Sequence, residues 1–560
     1  MPDPAAAARA LDRYRDASAP DRAYPDLHAH VLALAQAGLL VVVDEPINKD
    51  TEMHPLVRWQ FRGGIAEPER KAFLFTQPTD SKGRRYDIAV LVAGLAANRE
   101  VYRIGFGKPL DQIGRAWVAA IAAPIPPRVV TQAPCQEIVI AGDALDRPGH
   151  GLDGLPVPIS TPGWDNAPYL SAGHYITRDP DSLIQNVGNY RGQLKTPRRL
   201  GMNPSVELRA GIYAHWLKYK ARGEKMPCAV VVGCPPAVSY ASVQKMPENL
   251  DEVAVAGAIA GAPINVVKAK TVDLMVPAEA EIVIEGLIDT EFLEPEAPFG
   301  ESHGYVNLQE YNAFMDVTAI TRRRHPILTS FISQVTPSES SVIRKVAMEP
   351  LFLDHLRSTL GVRGVKRVGM HEPLTSLYAV IAIQFARGTP ETEIWRALQG
   401  AASLHRFAGK WVVAIDEDID PDNADAVFWA MSYRCQPQHD LHVLPHKDPG
   451  HGPRGPRDHG ESAAVLVNAT LKGTFAPVAL PKREFMENAR AIWQRLGLPP
   501  LKPELPWHGY DLGFWPQELE QQARLATESD YFSFGANLAN ERRSDVAMNT
   551  PVERMSLKEK

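Results

Sequence analysis

Hydrophobic and polar positions change period along this chain, and the changes mark out its elements. In DLHAHVLALAQAGLLVVVDEPI (26–47) apolar residues first recur at helical spacing and then run together as LLVVV. This predicts a helix followed by a strand, with Asp26 capping the helix start and Gly38 ending it. ERKAFLF and YDIAVLVAG continue the β pattern, giving a first α/β domain over 1–115. Residues 1–25, rich in Ala, Asp, Arg and Pro, predict a short helix and a loose connection.

Proline-rich segments follow, PIPPR (124–128) and RPGHGLDGLPVPISTPGWDNAP (147–168), as loops or edge strands. Then come short β-like runs at even spacing: SAGHYITR, CAVVVG, INVVKAKTVDLMV, EIVIEGLID, DVTAITRR and PILTSFI. That rhythm favours a barrel or sandwich over 116–337. Helices are inserted near 205–222 and from NLDEVAVAGAIAG. After 338 strand and helix alternate: SLYAVIAIQF, TPETEIWRALQGAASLH, GKWVVAIDEDID, PDNADAVFWAMSYR, LHVLP. Thr389 is a candidate N-cap with Pro390 as the first helical residue. The alternation predicts a doubly wound α/β domain on a parallel sheet over 338–500. LPKREFMENARAIWQRLGL closes it as an amphipathic helix, and the tail 501–560 is a candidate oligomer contact.

Composition narrows the classes. The chain has 560 residues, 45% hydrophobic and 22% charged, with a formal net charge of −6. These values fit a soluble protein of several domains and speak against a nucleic-acid binder. No apolar run approaches the roughly 20 residues of a membrane span. MPDPAAAARALDRYRD lacks the layout of a secretory signal. The four cysteines, Cys135, Cys228, Cys234 and Cys435, form no CxxC pair and predict buried thiols in a cytoplasmic protein.

Several motifs have plain explanations. GHGLDG (149–154) and GHGPRG (450–455) match GxGxxG, but neither opens a helix, so both are assigned to loops. No P-loop is present. His439, His442, His446, His451 and His459 cluster near Cys435; a zinc hydrolase site is the chemical alternative to a histidine-rich loop after a strand. DEDID (416–420) is read as a turn before a helix rather than a magnesium site. EPEAPFGESHGY (294–305) is different. Pro295, Pro298 and Gly300 hold Glu296 and Glu301 in fixed directions beside an apolar strand, with His303 and Tyr305 nearby. Two close carboxylates push their ionisations apart, which suits acid–base chemistry.

QNVGNYRGQLK (185–195), NLDEVAVAGA (249–258) and EPEAPFGESHGY, with VVAIDEDIDPDNADAVFWAMSYRCQP (412–437), resemble the UbiD family of reversible decarboxylases, which use prenylated FMN. The resemblance spans roughly 25–515. It implies an N-terminal α/β domain, a split β-barrel that binds the flavin, and a C-terminal α/β domain. It implies Arg191, Glu296 and Glu301 as catalytic residues, with Glu301 giving the proton and Glu296 holding Arg191. Asn186, Val187, Gly188, Asn189, Tyr190 and Arg191, and more weakly Gln244, Met246 and Pro247, would line the cofactor. A divalent metal, typically manganese, with nearby potassium (K+), would be held by Asn186 and Glu252. The third ligand position falls on Glu207 or on Arg209, where the family has His; Arg209 would pair the phosphate directly. The substrate class implied is an aromatic or heteroaromatic acid, free or as a CoA thioester, ahead of a cinnamate-like α,β-unsaturated acid. A flavin prenyltransferase would supply the cofactor, and a homodimer or homohexamer is expected. The alternative of another class is a non-catalytic flavin- or metal-binding subunit.

Overall fold

The computed structural model describes residues 9–15, 22–204, 210–244, 246–247, 250–405, 408–448, 461–501, 503, 514–530, 532 and 535. Asp26 caps helix Leu27–Gln36 by accepting from the Ala29 N–H, and Gly38 leaves it at φ +70°. Strand Leu40–Asn48 follows and pairs in parallel with Ala72–Thr79. Ala89–Val92 extends this first sheet. Its fourth strand is Ile327–Ser330, the PILTSFI run, parallel to Ala89–Val92. That run does not join the barrel that the β rhythm suggested. All four of its residues are buried, so its composition carries no sign of which sheet it enters.

Six strands close the barrel. Ile282–Ile288 pairs with Met226–Val232, then come Tyr169–Arg178, Gln185–Thr196, Arg199–Met202 and Glu310–Arg322, which pairs back to Ile282–Ile288. Closure needs a bend, and one lies at the register shift between Glu285 and Gly286. A Cβ on Gly286 would stand 2.3 Å from the Asp316 carbonyl oxygen, so only glycine fits this bulge. Met226–Val232 reads as one apolar run because both its faces are covered. Val230 and Val232 pack into the core that also holds Leu27 and Leu74; Ala229 and Val231 pack with Trp117, Tyr240 and Val253.

A linker helix, Glu339–Asp354, leads out of the barrel with a Ser338–Ser341 capping box. The third sheet follows. Its central strands Val380–Phe385, Trp411–Asp416 and Ser462–Asn468 are parallel. Its edges, Val365–Met370 and Leu441–Lys447, are antiparallel, so the sheet is mixed, and LHVLP is an edge strand. Helix Glu391–Leu404 starts one residue later than expected, with Pro390 extended at its cap. The helix Arg483–Arg495 was expected to close this domain, yet none of its residues is buried; Phe485, Ile492 and Trp493 are exposed. An amphipathic pattern records an apolar face but not what covers it. The four cysteines are buried and free. Among the described residues no helix is long and apolar enough to cross a membrane.

Candidate active site

Arg191 projects from barrel strand Gln185–Thr196 and meets both carboxylates of the EPEAPFGESHGY stretch. Its Nε donates to Glu296 Oε1 at 3.0 Å and its Nη2 to Glu296 Oε2 at 2.7 Å. Its Nη1 donates to Glu301 Oε1. The guanidinium thus forks onto one carboxylate and bridges to the other, the geometry for which arginine is suited. The trio is dry: the side chains of Arg191 and Glu296 are 7% and 2% exposed, and Glu301 is 16% exposed. Burial works against the Arg191 charge, but the hydrogen bonds to Glu296 and the Glu301 charge outweigh it and hold the guanidinium above its ordinary range.

The stretch itself is a short strand, Glu294–Glu296, then a two-residue strand Phe299–Gly300, then a turn. Glu296 is set by pairing with Glu310–Arg322, whose Asn312 donates to Glu296 Oε2 at 2.6 Å. Tyr169 donates to the Ala297 carbonyl at 2.6 Å, and its ring packs on Phe299 at 4.4 Å. Phe299 in turn faces the Arg191 guanidinium, 5.6 Å away. Buried Asp165 accepts the Gly300 N–H at 2.8 Å. Gly304, at φ +93°, turns the chain so that its N–H donates to the Glu301 carbonyl at 3.0 Å. Glu301 is therefore flanked by two glycines that act differently: Gly300 leaves no room for a Cβ against Thr161, and Gly304 takes the left-handed conformation of the turn.

A second group lies farther along the same strand. Glu252 opens helix Glu252–Ala260 and accepts the Val187 N–H at 2.8 Å, next to Asn186. Burial pushes the Glu252 carboxyl up to about 7, against the lowering effect of the Val187 N–H. Asn186 Nδ2 and Asn189 Oδ1 are buried without partners among the described residues. A desolvated carboxylate beside an amide group is an oxygen-donor set that suits a hard cation. Orphaned polar atoms along the strand suit a ligand that brings its own partners.

The remaining predicted residues divide. Val187 is buried, and Tyr190 sets its ring edge-on to Tyr175. Gln244 and Met246 are buried, with Gln244 Nε2 donating to the Met348 sulfur at 3.0 Å, while Pro247 is exposed. Glu207 and Arg209 lie outside the described residues, as do GHGPRG, His451 and His459. The described histidines go separate ways: His446 meets Glu461, and His442 stands edge-on to Trp395. Among the described residues no three His, Cys, Asp or Glu side chains converge as a metal site. GHGLDG is a loop with a short 3-10 turn, Leu152–Gly154. In DEDID, Asp416 and Asp418 hold Arg434 at 2.8 and 2.7 Å, and Asn423 caps the next helix.

Sequence patterns missed Asn312, Asp165 and Tyr169. Asn312 has no local signal because its role comes from register, and Asp165 lies in a proline-rich loop whose destination is set by the fold.

The model of the 3-octaprenyl-4-hydroxybenzoate carboxy-lyase Rift-related domain (UbiD) matches residues 128–335, and that of the C-terminal domain matches 341–452. An uncharacterized protein of Aquifex aeolicus is 29% identical over 514 residues, covering 85% of this chain and 99% of that protein. The UbiD-class enzyme HmfF from Pelotomaculum thermopropionicum, solved with FMN, superposes with a TM-score of 0.72 at 28% identity, covering 83% of this chain and 100% of that one. An evolved dimeric form of HmfF with prFMN gives 0.69 at 29% identity, covering 81% and 97%. The two matched models cover more than half of the sequence between them, and the chain belongs to the UbiD family of carboxy-lyases.

Proposed function

We propose that this enzyme reversibly decarboxylates an aromatic or heteroaromatic acid with prenylated FMN, and that Glu301 supplies the proton. The observation that carries this is Arg191 joined to Glu296 and Glu301 in one dry cluster. HmfF, at 28% identity, was solved with FMN, and its evolved form with prFMN, which supports the flavin. The residues fit such a group. Val187, Gly188, Asn189 and Tyr190, with Gln244 and Met246, would hold it; Asn186 and Glu252 would hold manganese, with potassium. Prenylated FMN, when bound, supplies the electron sink that loss of CO2 from an sp2 carbon requires.

The protein's part is position and protons. Arg191 orients the acid and keeps Glu301 aimed, while Glu296 and Asn312 fix Arg191. Three charges make up the trio, and one proton taken up by Glu301 renders it neutral. Passing that proton to the carbon that loses CO2 leaves one negative charge on the trio, which the Arg191 guanidinium bridging both carboxylates offsets until Glu301 takes up a new proton from solvent. The exposed apolar face of Arg483–Arg495 supports assembly into a homo-oligomer. A flavin prenyltransferase supplies the cofactor.

The test is Glu301→Gln in protein co-expressed with a flavin prenyltransferase. The variant should retain flavin by absorption and mass spectrometry yet lose CO2 release from aromatic acids by at least a thousandfold. Turnover near the wild-type rate would refute Glu301 as the proton donor.

A further inference from the structure

Gln334 lies between strand Ile327–Ser330 and the linker helix, and is 2% exposed. Its backbone carbonyl accepts from Arg58 Nη1 at 2.6 Å, and its side-chain Oε1 accepts from Arg58 Nη2. A guanidinium only donates, so the amide oxygen must face Arg58 and the amide has one orientation. Its Nε2 therefore faces the other way. That nitrogen is buried and meets no acceptor among the described residues. A buried donor left without an acceptor costs free energy, and a ligand that brings an acceptor relieves that cost.

The surroundings indicate the ligand. Gln334 Cγ stands 3.1 Å from where a Cβ on Gly300 would lie, and Val335 comes within 4 Å of the same point on Gly304. Residues 334–335 thus run beside the turn that carries Glu301. The anchor comes from elsewhere in the chain: Arg58 belongs to helix Met53–Arg62, which packs in the first domain. Burial lowers the Arg58 guanidinium to about 10, still well above neutrality, so it remains a donor.

We infer that Gln334 Nε2 is a substrate-binding donor that receives the carboxylate of the acid, with Arg58 as the positioning residue that presents it. The inference rests on the decarboxylase function proposed above. A neutral amide suits the task. It orients a carboxylate through hydrogen bonds without the strong ground-state hold of a second cation, which would oppose departure of the carboxyl group as CO2. It also makes the first domain part of the site: a helix outside the barrel sets the orientation of a group beside the catalytic turn.

Gln334→Glu separates this role from a structural one. It keeps an oxygen facing Arg58 and replaces Nε2 by a second oxygen. Flavin-loaded wild type, Gln334→Glu and Arg58→Met are titrated calorimetrically with benzoate, 4-hydroxybenzoate, 2-furoate and cinnamate. For the acids that bind wild type, Kd should rise at least tenfold in Gln334→Glu, with the thermal midpoint unchanged. Arg58→Met, which lets the amide turn over, should raise Kd by a smaller factor, about threefold. A merely structural glutamine predicts no change in Gln334→Glu, because the Arg58 contact survives; binding within twofold of wild type overturns the inference. If none of the acids binds wild type, the decarboxylase function falls as well. If acids bind wild type and Gln334→Glu alike while Glu301→Gln is inactive, the role of Gln334 alone is refuted.

Discussion

Asn312 reaches across the ladder between Glu294–Glu296 and Glu310–Arg322 to donate to Glu296 Oε2 at 2.6 Å. The same oxygen receives Arg191 Nη2. Glu296 is thus held by an uncharged donor on one side and a cation on the other, and Arg191 inherits its direction from that grip.

Asn312→Leu should therefore act through Arg191. A hydrogen bond to a charged group contributes about 1.5–3 kcal/mol. The variant should lose stability of that order and slow CO2 release roughly tenfold, since about 1.4 kcal/mol is a factor of ten in rate. Retained flavin with a lowered kcat is the expected pattern; an unchanged kcat would show that Glu296 needs no second partner. Thermal midpoint and steady-state kinetics decide.

Glu339 gives a pH dependence of stability. It opens the linker helix, is fully buried, and accepts the Leu95 N–H at 2.8 Å. Burial raises its carboxyl to about 7, against the lowering effect of backbone N–H groups. A carboxyl raised in the folded state binds its proton more tightly there than in the unfolded chain. Stability from this group is thus full below the ordinary value of 4.5 and declines as pH rises to about 7, by roughly 3 kcal/mol in all. Glu339→Gln removes the ionisation. Its thermal midpoint relative to wild type should rise between pH 5 and pH 8; a difference independent of pH would contradict the assignment.

Glu252 should govern metal retention. With burial holding its carboxyl at about 7, a divalent cation bound there would replace the proton and relieve the cost of the buried charge. Glu252→Gln should lose manganese by metal analysis of the purified protein and co-purify with several-fold less flavin. Chelator treatment of wild type should produce the same flavin loss. Full flavin occupancy in a metal-free Glu252→Gln protein would separate the two sites.

Neighbouring residues along the chain were enough to set the local elements and much of the candidate chemistry. Asp26 and Gly38 bracket a helix because capping and left-handed turns are decided by neighbouring residues. Glu296 and Glu301 stood out because prolines and glycines around two carboxylates have few bland uses, and the QNVGNYR strand carried the resemblance that paired them with Arg191. Which strands meet was settled by the folded arrangement. PILTSFI and DVTAITRR both read as β-like runs, yet one enters the first sheet and the other the barrel; all four residues of Ile327–Ser330 are buried, which erases the alternation that would reveal a partner. Asn312, Asp165 and Gln334 gained their places from register and loop packing across up to hundreds of residues, and such contacts leave no periodic trace. Helix Arg483–Arg495, which the described residues leave without a buried side chain, shows the same limit: amphipathic spacing records an apolar face, and only the fold tells what covers it.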